Sequence, residues 1–243
     1  MNKLVIRQVP AKQGAAWIGS GYNLFAQSWG QWILIFLVMA VFYLATAILP
    51  TVKIGAFPLS LAQLASGFLG PVFLGGLYLA AREQERSGKP QLADLFRGFS
   101  GHPELLVWGG IGVILSFLSS LTAFAVAGPA PALDLNDPAA FEQSLLYLQQ
   151  SLLVNLIFAL VTGLAYWFGI PASALDKVPA LRAWGLSYRA SAYNLGALLV
   201  YGLLGALIFL AGLLALGLGL LVALPIGLLA NYRAYSEVVG YKL

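Results

Sequence analysis

The sequence predicts an all-α integral membrane protein. It should have six transmembrane helices arranged as three parallel helical-hairpin repeats, each preceded by an amphipathic interfacial helix. Three observations carry this expectation. First, the chain is 60% hydrophobic with only 9% charged residues, against about 25% charge in soluble domains, and its mean hydropathy is +0.85. Second, long uncharged runs alternate with short basic, aromatic-rich stretches, the pattern of a multi-pass membrane protein. Third, that alternation recurs with a similar period along the chain.

The opening, MNKLVIRQVPAKQ, carries Lys3, Arg7 and Lys12 with no acid, an arm suited to anionic headgroups. It lacks an apolar core followed by a small-residue cleavage site, so no signal peptide is expected. From Pro10 an amphipathic stretch places Ile18, Tyr22, Phe25 and Trp29 on one face and Ser20, Asn23, Gln27 and Gln31 on the other. Trp17 and Trp29 are expected to sit at the headgroup level. The first span is expected at 32–51, closed by Pro50, and the second at 58–81 after a short turn containing Lys53.

The longest polar stretch, REQERSGKPQLADLFRGFSGHPE, occupies residues 82–104. Arg82, Glu85 and Arg86 have the i, i+3 and i, i+4 spacing of weak local ion pairs on a solvated helix end. Within this stretch Pro90 opens a second amphipathic copy, with Leu92, Leu95, Phe96 and Phe99 on one face and Asp94 and Arg97 on the other. The third span is expected at 105–127. In the following loop Asp137-Pro138 reads as an N-cap with proline at the first helical position. A helix from there to Ala172 would be roughly 52 Å long, so its first turns should project beyond the fourth span, 151–172.

The third amphipathic copy is KVPALRAWGLSYRASAYN, residues 177–194. Leu181, Trp184, Tyr188 and Ala192 share one face, with Arg182 and Arg189 on its flank. This is the pattern of a helix lying in a membrane interface, its aromatics in the acyl boundary and Lys177 and the arginines among headgroups. Residues 195–230 then carry no charge. That run accommodates two spans, 195–215 and 217–235, with a tight turn near Leu216–Leu218. With six spans and the N-terminus inside, twelve lysines and arginines fall on the inner side against Lys53 alone outside, so both termini are expected to be cytoplasmic.

The whole chain, 1–243, is read as one membrane domain with repeat units at 10–89, 90–176 and 177–236. Each unit begins with a base and a proline, followed by an amphipathic helix and two spans. The second span of each unit contains glycine and proline close together: Gly70-Pro71, Gly169-Ile170-Pro171 and Pro225-Ile226-Gly227. Pro71, Pro171 and Pro225 should kink these helices and free backbone carbonyls that neighbouring helices must satisfy. The first and third units share Gly-x₅-Arg, from Gly76 to Arg82 and from Gly227 to Arg233. Three units entering from one side imply parallel repeats about an axis along the membrane normal.

Taken together, VPAKQGAAWIGSGYNLF, GLYLAAREQERSGKPQLADLFRGF and KVPALRAWGLSYRASAYN resemble an uncharacterised bacterial inner-membrane family, and more loosely the bacterial six-span proteins with an interfacial helix before each helical pair. The resemblance implies topology and a bacterial inner-membrane location. It carries no activity.

Chemistry-bearing residues are sparse. There are no cysteines, which removes disulfides and thiolate metal sites. No expected span has an ionisable aspartate, glutamate, histidine, lysine or arginine away from its ends, which weakens an ion-coupled transport reading. Ser151, Asn155, Thr162 and Tyr166 fall on one side of the fourth span, either as a polar path or as interhelical hydrogen-bond glue. Gly112, Ser116 and Ser120, and Ala62, Ser66 and Gly70, form small-residue ladders that favour close packing. His102, beside Glu104, is the one lead toward acid–base chemistry on a lipid. Asp134, Asp137 and Glu142 read as an external loop. No phosphate-cradling GxxxxGK[ST] motif exists. The sequence predicts no catalytic residue, cofactor or metal site and no nucleic-acid partner. Expected partners are anionic phospholipids and a membrane protein or a second copy of the chain. The functional expectation is a non-enzymatic structural, lipid-associated or partner-binding component. The alternative is a transporter or channel for an apolar or uncharged solute, with a cavity lined by glycine, serine and threonine.

Overall fold

The computed structural model describes residues 4–48, 59–131, 134 and 137–241, with side chains of 46–48, 59–66 and 241 set aside. The expectations that rest on Lys3, Pro50, Lys53, Pro58 and Lys242, and on the side chains of Ala62 and Ser66, lie outside these residues. The described chain is all-α apart from one small ribbon. Its helices are α1 (Gln13–Gln27), α2 (Trp29–Ile48), α3 (Leu59–Ser87), α4 (Pro103–Ala127), α5 (Pro138–Asp176), α6 (Ala180–Tyr193), α7 (Leu195–Leu214) and α8 (Leu220–Val238). Strands β1 (Leu4–Ile6) and β2 (Val239–Tyr241) pair antiparallel, Leu4 opposite Tyr241. The two ends of the described chain therefore meet on one face of the bundle.

Among the described residues three helices, α4, α5 and α7, are long and apolar enough to cross a membrane. A fourth is obtained if α1 and α2, bent by 97° at their junction, count as one broken span. The outer faces of α4, α5 and α7 are covered with exposed aliphatic and aromatic residues, Ile114, Phe117 and Phe124, Leu152, Ile157 and Leu160, and Leu199, Leu203 and Leu207. Apolar surface on this scale is the signature of a chain solvated by lipid. By contrast α8 has a polar C-terminal half that is buried inside the molecule, including Asn231, Tyr232 and Tyr235.

Local sequence explains the element ends. Asp137 caps α5, its carboxylate accepting from the Ala139 amide at 3.0 Å, with Pro138 at the first helical position, as expected from the sequence. The 39-residue helix that follows is about 58 Å long. The α7–α8 turn falls at 215–219, with Leu216 and Gly217 both at positive φ. Ser28, Ser100 and Asn194 each end an amphipathic segment with the same signature, an N–H donated to the carbonyl three residues back.

The three amphipathic segments are each docked on the long helix before them in a cyclic order. Residues Leu92–Phe99 pack on α3, α6 packs on α5, and α1 closes the circle by packing on α8. Each contact is close because one side lacks bulk. Gly21 lies against the backbone at Ile226 and Ala230, Gly76 against Leu95, and Gly98 against Val72. On α6, Ser187 donates to the Leu164 carbonyl and accepts from the Phe168 amide.

Two sequence expectations change here. Residues Leu92–Phe99 form a 3-10 helix rather than an α-helix, with reciprocal capping by Gln91 and Asp94. At three residues per turn Leu92, Leu95 and Gly98 align, so Leu95 and Gly98 are buried and Asp94 is drawn inward to bond Arg97. In α1 the docked face consists of Gly14, Trp17, Gly21, Leu24 and Phe25 and in α6 of Ala180, Ala183, Leu186, Ser187, Ala190 and Ser191, so Phe25 leaves the face expected in the acyl boundary, while Tyr22 and Leu181 of those faces are exposed.

Candidate functional site

The prolines build the centre of the molecule. Pro71, Pro171 and Pro225 are buried inside α3, α5 and α8, each helix continuing through its proline. Proline at 171 has no N–H for the carbonyl four residues back, which frees that of Trp167. Asn231 of α8 takes it up, donating from Nδ2 at 3.3 Å, and its second amide hydrogen goes to the Tyr78 hydroxyl of α3 at 3.0 Å. One residue from each proline-containing helix therefore meets at a single polar node. Because both neighbours are met by the amide nitrogen, Asn231 Oδ1 is left with no partner, and the indole Nε1 of Trp167 also has none.

This node forms part of the wall of a cavity of about 900 Å³, within the range of small-molecule and lipid sites. Phe36 and Met39 of α2, Leu74 and Leu77 of α3, Gly163 of α5, Gly202, Gly205 and Phe209 of α7, and Leu224 and Leu228 of α8 complete its lining. Among the described residues no aspartate, glutamate, lysine, arginine, histidine, serine or threonine lines it, while Gly163, Gly202, Gly205 and Gly227 do, so of the glycine, serine and threonine lining expected of a solute path only the glycines are present. Tyr201 stands edge-on to Trp167, ring centroids 5.2 Å apart, and donates to the Gly227 carbonyl at 2.7 Å. Helices α2 and α7 both line the cavity without substantial packing against each other among the described residues.

Beyond the node, toward the C-terminal ends of α3, α5 and α8, the three helices are tied together by a polar network. Arg82 of α3 donates to the Leu175 carbonyl and pairs with Asp176 of α5, and Tyr235 of α8 donates to the same carboxylate. Glu85 pairs with Arg233 and accepts from Tyr232. The expectation that Arg82, Glu85 and Arg86 form a local solvated set is corrected for the first two, which tie three helices together. The shared Gly-x₅-Arg was the available signal, since it places Arg82 and Arg233 at matching heights.

The predicted interfacial residues divide into two groups. Trp17 is only 1% exposed and donates to Glu237 at 2.8 Å, so it is a core residue and does not face headgroups. Trp29, 62% exposed, remains at the surface, as do Lys177, Arg182 and Arg189. Lys177 is the left-handed residue that ends α5, and Arg189 donates to Gly185 on its own helix. Trp184 stacks between Trp108 and Tyr188, centroids 6.1 and 6.3 Å away, and Tyr188 donates to the Val161 carbonyl. Partial burial raises the Tyr188 hydroxyl above its ordinary pKa. Arg97 pairs with Asp94 and Glu83, and its hydrogen bond to Asp94 first, with their charges, raises its pKa further.

The polar stripe of the fourth span does not form one path. Asn155 accepts from Ser119 of α4 at 2.9 Å, and Tyr166 donates to the Trp108 carbonyl at 3.1 Å, which is glue between α4 and α5. Ser151 bonds back to Tyr147 and Leu148, and Thr162 is half-buried. Ser151 and Asn155 line a separate cavity of about 330 Å³, while Tyr166 lines the central one. His102 and Glu104 are also separated in role. His102 Nδ1 contacts the Ser100 carbonyl, and Glu104 accepts from the Ala180 amide at 2.7 Å, capping α6. Among the described residues no three histidine or acidic side chains gather as metal ligands would. Comparison with protein-family models, with curated proteins and with solved structures returned no match.

Proposed function

We propose that this chain is a non-enzymatic, lipid-associated component of a bacterial inner membrane, which holds an apolar molecule in the cavity between α2, α3, α5, α7 and α8. In this reading α2, α3 and α8 cross the bilayer together with α4, α5 and α7, giving six spans in three parallel hairpin units. The cyclic docking of α1, residues 92–99 and α6 supports the repeat. The ribbon that joins β1 to β2 supports an even number of crossings, and the distribution of bases argues that its side is cytoplasmic. Arg97, Lys177, Arg182 and Arg189 then meet anionic phospholipids, with Trp29 and the Trp184–Tyr188 stack at the level of the acyl boundary.

The observation that carries the reading is the cavity itself. It is apolar, large and walled by residues from five helices. Left bare, a recess of this size would keep its apolar wall without packing partners, whereas an acyl chain would supply them. The alternative, passage of an uncharged solute, draws on the cavity's position where the three proline-containing helices meet. The Arg82–Asp176–Tyr235 network, which ties α3, α5 and α8 together beyond the node, argues for retention over passage.

The test exploits Gly205, where an added Cβ meets nothing within 4 Å. Gly205→Leu projects a side chain into the cavity from α7, its Cβ clear of every neighbour. The wild-type protein, purified in mild detergent, is expected to retain a stoichiometric lipid on extraction and mass analysis, and the folded variant to lose it. Equal lipid content in both would remove the cavity as a lipid site. Flux of an uncharged solute through liposomes that Gly205→Leu abolishes would favour transport.

A further inference from the structure

We infer that the central cavity is filled from the side: one acyl chain of an anionic phospholipid enters between α5 and α7, while its headgroup stays outside at Arg182 and Arg189. The inference rests on the reading of the cavity as a lipid site and adds the route and the class of lipid.

The packing of the helices leaves one gap. Helix α2 packs on α3, α3 on α4, α4 on α5, α7 on α8 and α8 on α2. A contact between α5 and α7 would close this ring, and among the described residues that pair lacks substantial packing. Side chains bridge it at one level, where Trp167 and Tyr201 stand edge-on with ring centroids 5.2 Å apart. One helical turn beyond that pair the same faces carry Gly163 on α5 and Gly205 on α7, with Gly202 close by. An added Cβ meets nothing within 4 Å at any of the three. Gly163 and Gly202 line the cavity and are also exposed, so the cavity opens to the outside between them.

What lies outside is apolar. Phe209 and Leu210 of α7 line the cavity and are exposed as well, so its wall runs on into the outer face of α7 at Leu203 and Leu207. Lipid that covers that face is therefore continuous with the slot. Only a chain can pass inward, because no charged side chain among the described lining residues would compensate a buried phosphate. The head is met by α6, which packs on α5, donates from Tyr188 to the Val161 carbonyl and leads directly into α7. Its Arg182 and Arg189 are exposed, and neither has a carboxylate partner among the described residues.

The experiment follows exchange of bound lipid in the full chain. Purified protein holding its lipid is mixed with liposomes of deuterated dioleoyl phosphatidylglycerol or phosphatidylcholine, and the protein-bound lipid is weighed over time by mass spectrometry. The chain has no cysteine, so Gly163→Cys with Gly202→Cys can be joined across the slot by a bis-maleimide. Linking should slow exchange at least roughly tenfold while the bound lipid stays stoichiometric, and the unlinked pair should exchange as wild type does. Gly163→Trp, which narrows the slot without a linker, should slow exchange in the same direction. A disulfide between Gly67→Cys and Val113→Cys, across the packed α3–α4 seam, should leave it unchanged. Phosphatidylglycerol should be taken up in preference to phosphatidylcholine by roughly fivefold or more, and Arg182→Gln with Arg189→Gln should erase that preference. Wild-type exchange in the linked protein overturns the route and leaves the cavity reading standing. Equal uptake of the two lipids, or a preference that survives loss of both arginines, overturns the placement of the head. No stoichiometric lipid on the wild-type protein overturns both the inference and the cavity reading.

Discussion

Replacing Gly21 with alanine isolates the contact that closes the ring of helices. A Cβ at this position would lie 2.6 Å from the Ala230 nitrogen and 2.6 Å from the Ile226 carbonyl oxygen, while ordinary contact starts at 3.4 Å. Both obstacles belong to the α8 backbone, so no rotamer change relieves them, and α1 must withdraw by about 0.8 Å. That displacement stretches the Trp17–Glu237 hydrogen bond from 2.8 Å beyond useful range. Overpacking costs about 1–3 kcal/mol, and a hydrogen bond to a charged acceptor contributes about 1.5–3 kcal/mol. Against these stands a gain of about 1 kcal/mol for alanine over glycine in a helix. The net loss is about 1.5–5 kcal/mol in the docking of α1. Gly19, one half-turn away on the same helix, has nothing within 4 Å of a Cβ, so Gly19→Ala should strengthen the helix by about 1 kcal/mol. Amide hydrogen exchange over residues 13–27 reads both variants. Gly21→Ala should exchange roughly 10- to 5,000-fold faster than wild type, and Gly19→Ala about fivefold slower. Matching rates for the two variants would refute the docking of α1 on α8.

Three further outcomes are expected. Arg82→Met removes the cation that spans α3 and α5 while Tyr235 still holds Asp176; stability in detergent should fall by about 1–3 kcal/mol, read as a lower thermal midpoint, and no fall would make that network incidental. Arg182→Gln with Arg189→Gln should weaken association with anionic but not zwitterionic vesicles by about 1 kcal/mol per charge removed, with the difference shrinking at high salt; a salt-independent effect would argue against headgroup contact. Because the chain has no cysteine, single cysteines at Ser100, Asp134 and Lys177 can be probed with an impermeant maleimide on intact cells. Labelling is expected at position 134 alone, and labelling at 177 would reverse the orientation.

What could be read from the sequence and what could not have separate physical causes. Hydropathy marks the surface a helix shows to lipid, so the lipid-facing α4, α5 and α7 and the capped start of α5 at Asp137 were all accessible to it. Glycine, alanine and serine hardly register on a hydropathy scale, yet they set how closely two backbones approach. The docking faces of α1 and α6 were therefore not found beside the aromatic stripes set in the acyl boundary, and Trp17 was placed among headgroups instead of against Glu237. The prolines announced that carbonyls would be freed, but not which side chain would collect them. Asn231 meets Trp167 across 64 residues, and nothing in local spacing reports a pairing at that separation. Arg82 and Arg233 came nearer to being found, because their matching distance from Gly76 and Gly227 was visible as a repeated motif.

The docking of α1 on α8 also imposes an order of events on synthesis. Glu237, the acceptor for Trp17, is made 220 residues later. At about 5–20 residues per second, α1 waits roughly 10–45 s for its seat. During that interval its tryptophan and small-residue groove must be sheltered by the bilayer surface or by a helper. Assembly therefore finishes at both ends of the described chain at once, and a nascent chain stalled before α8 should present α1 to proteases that the finished protein resists.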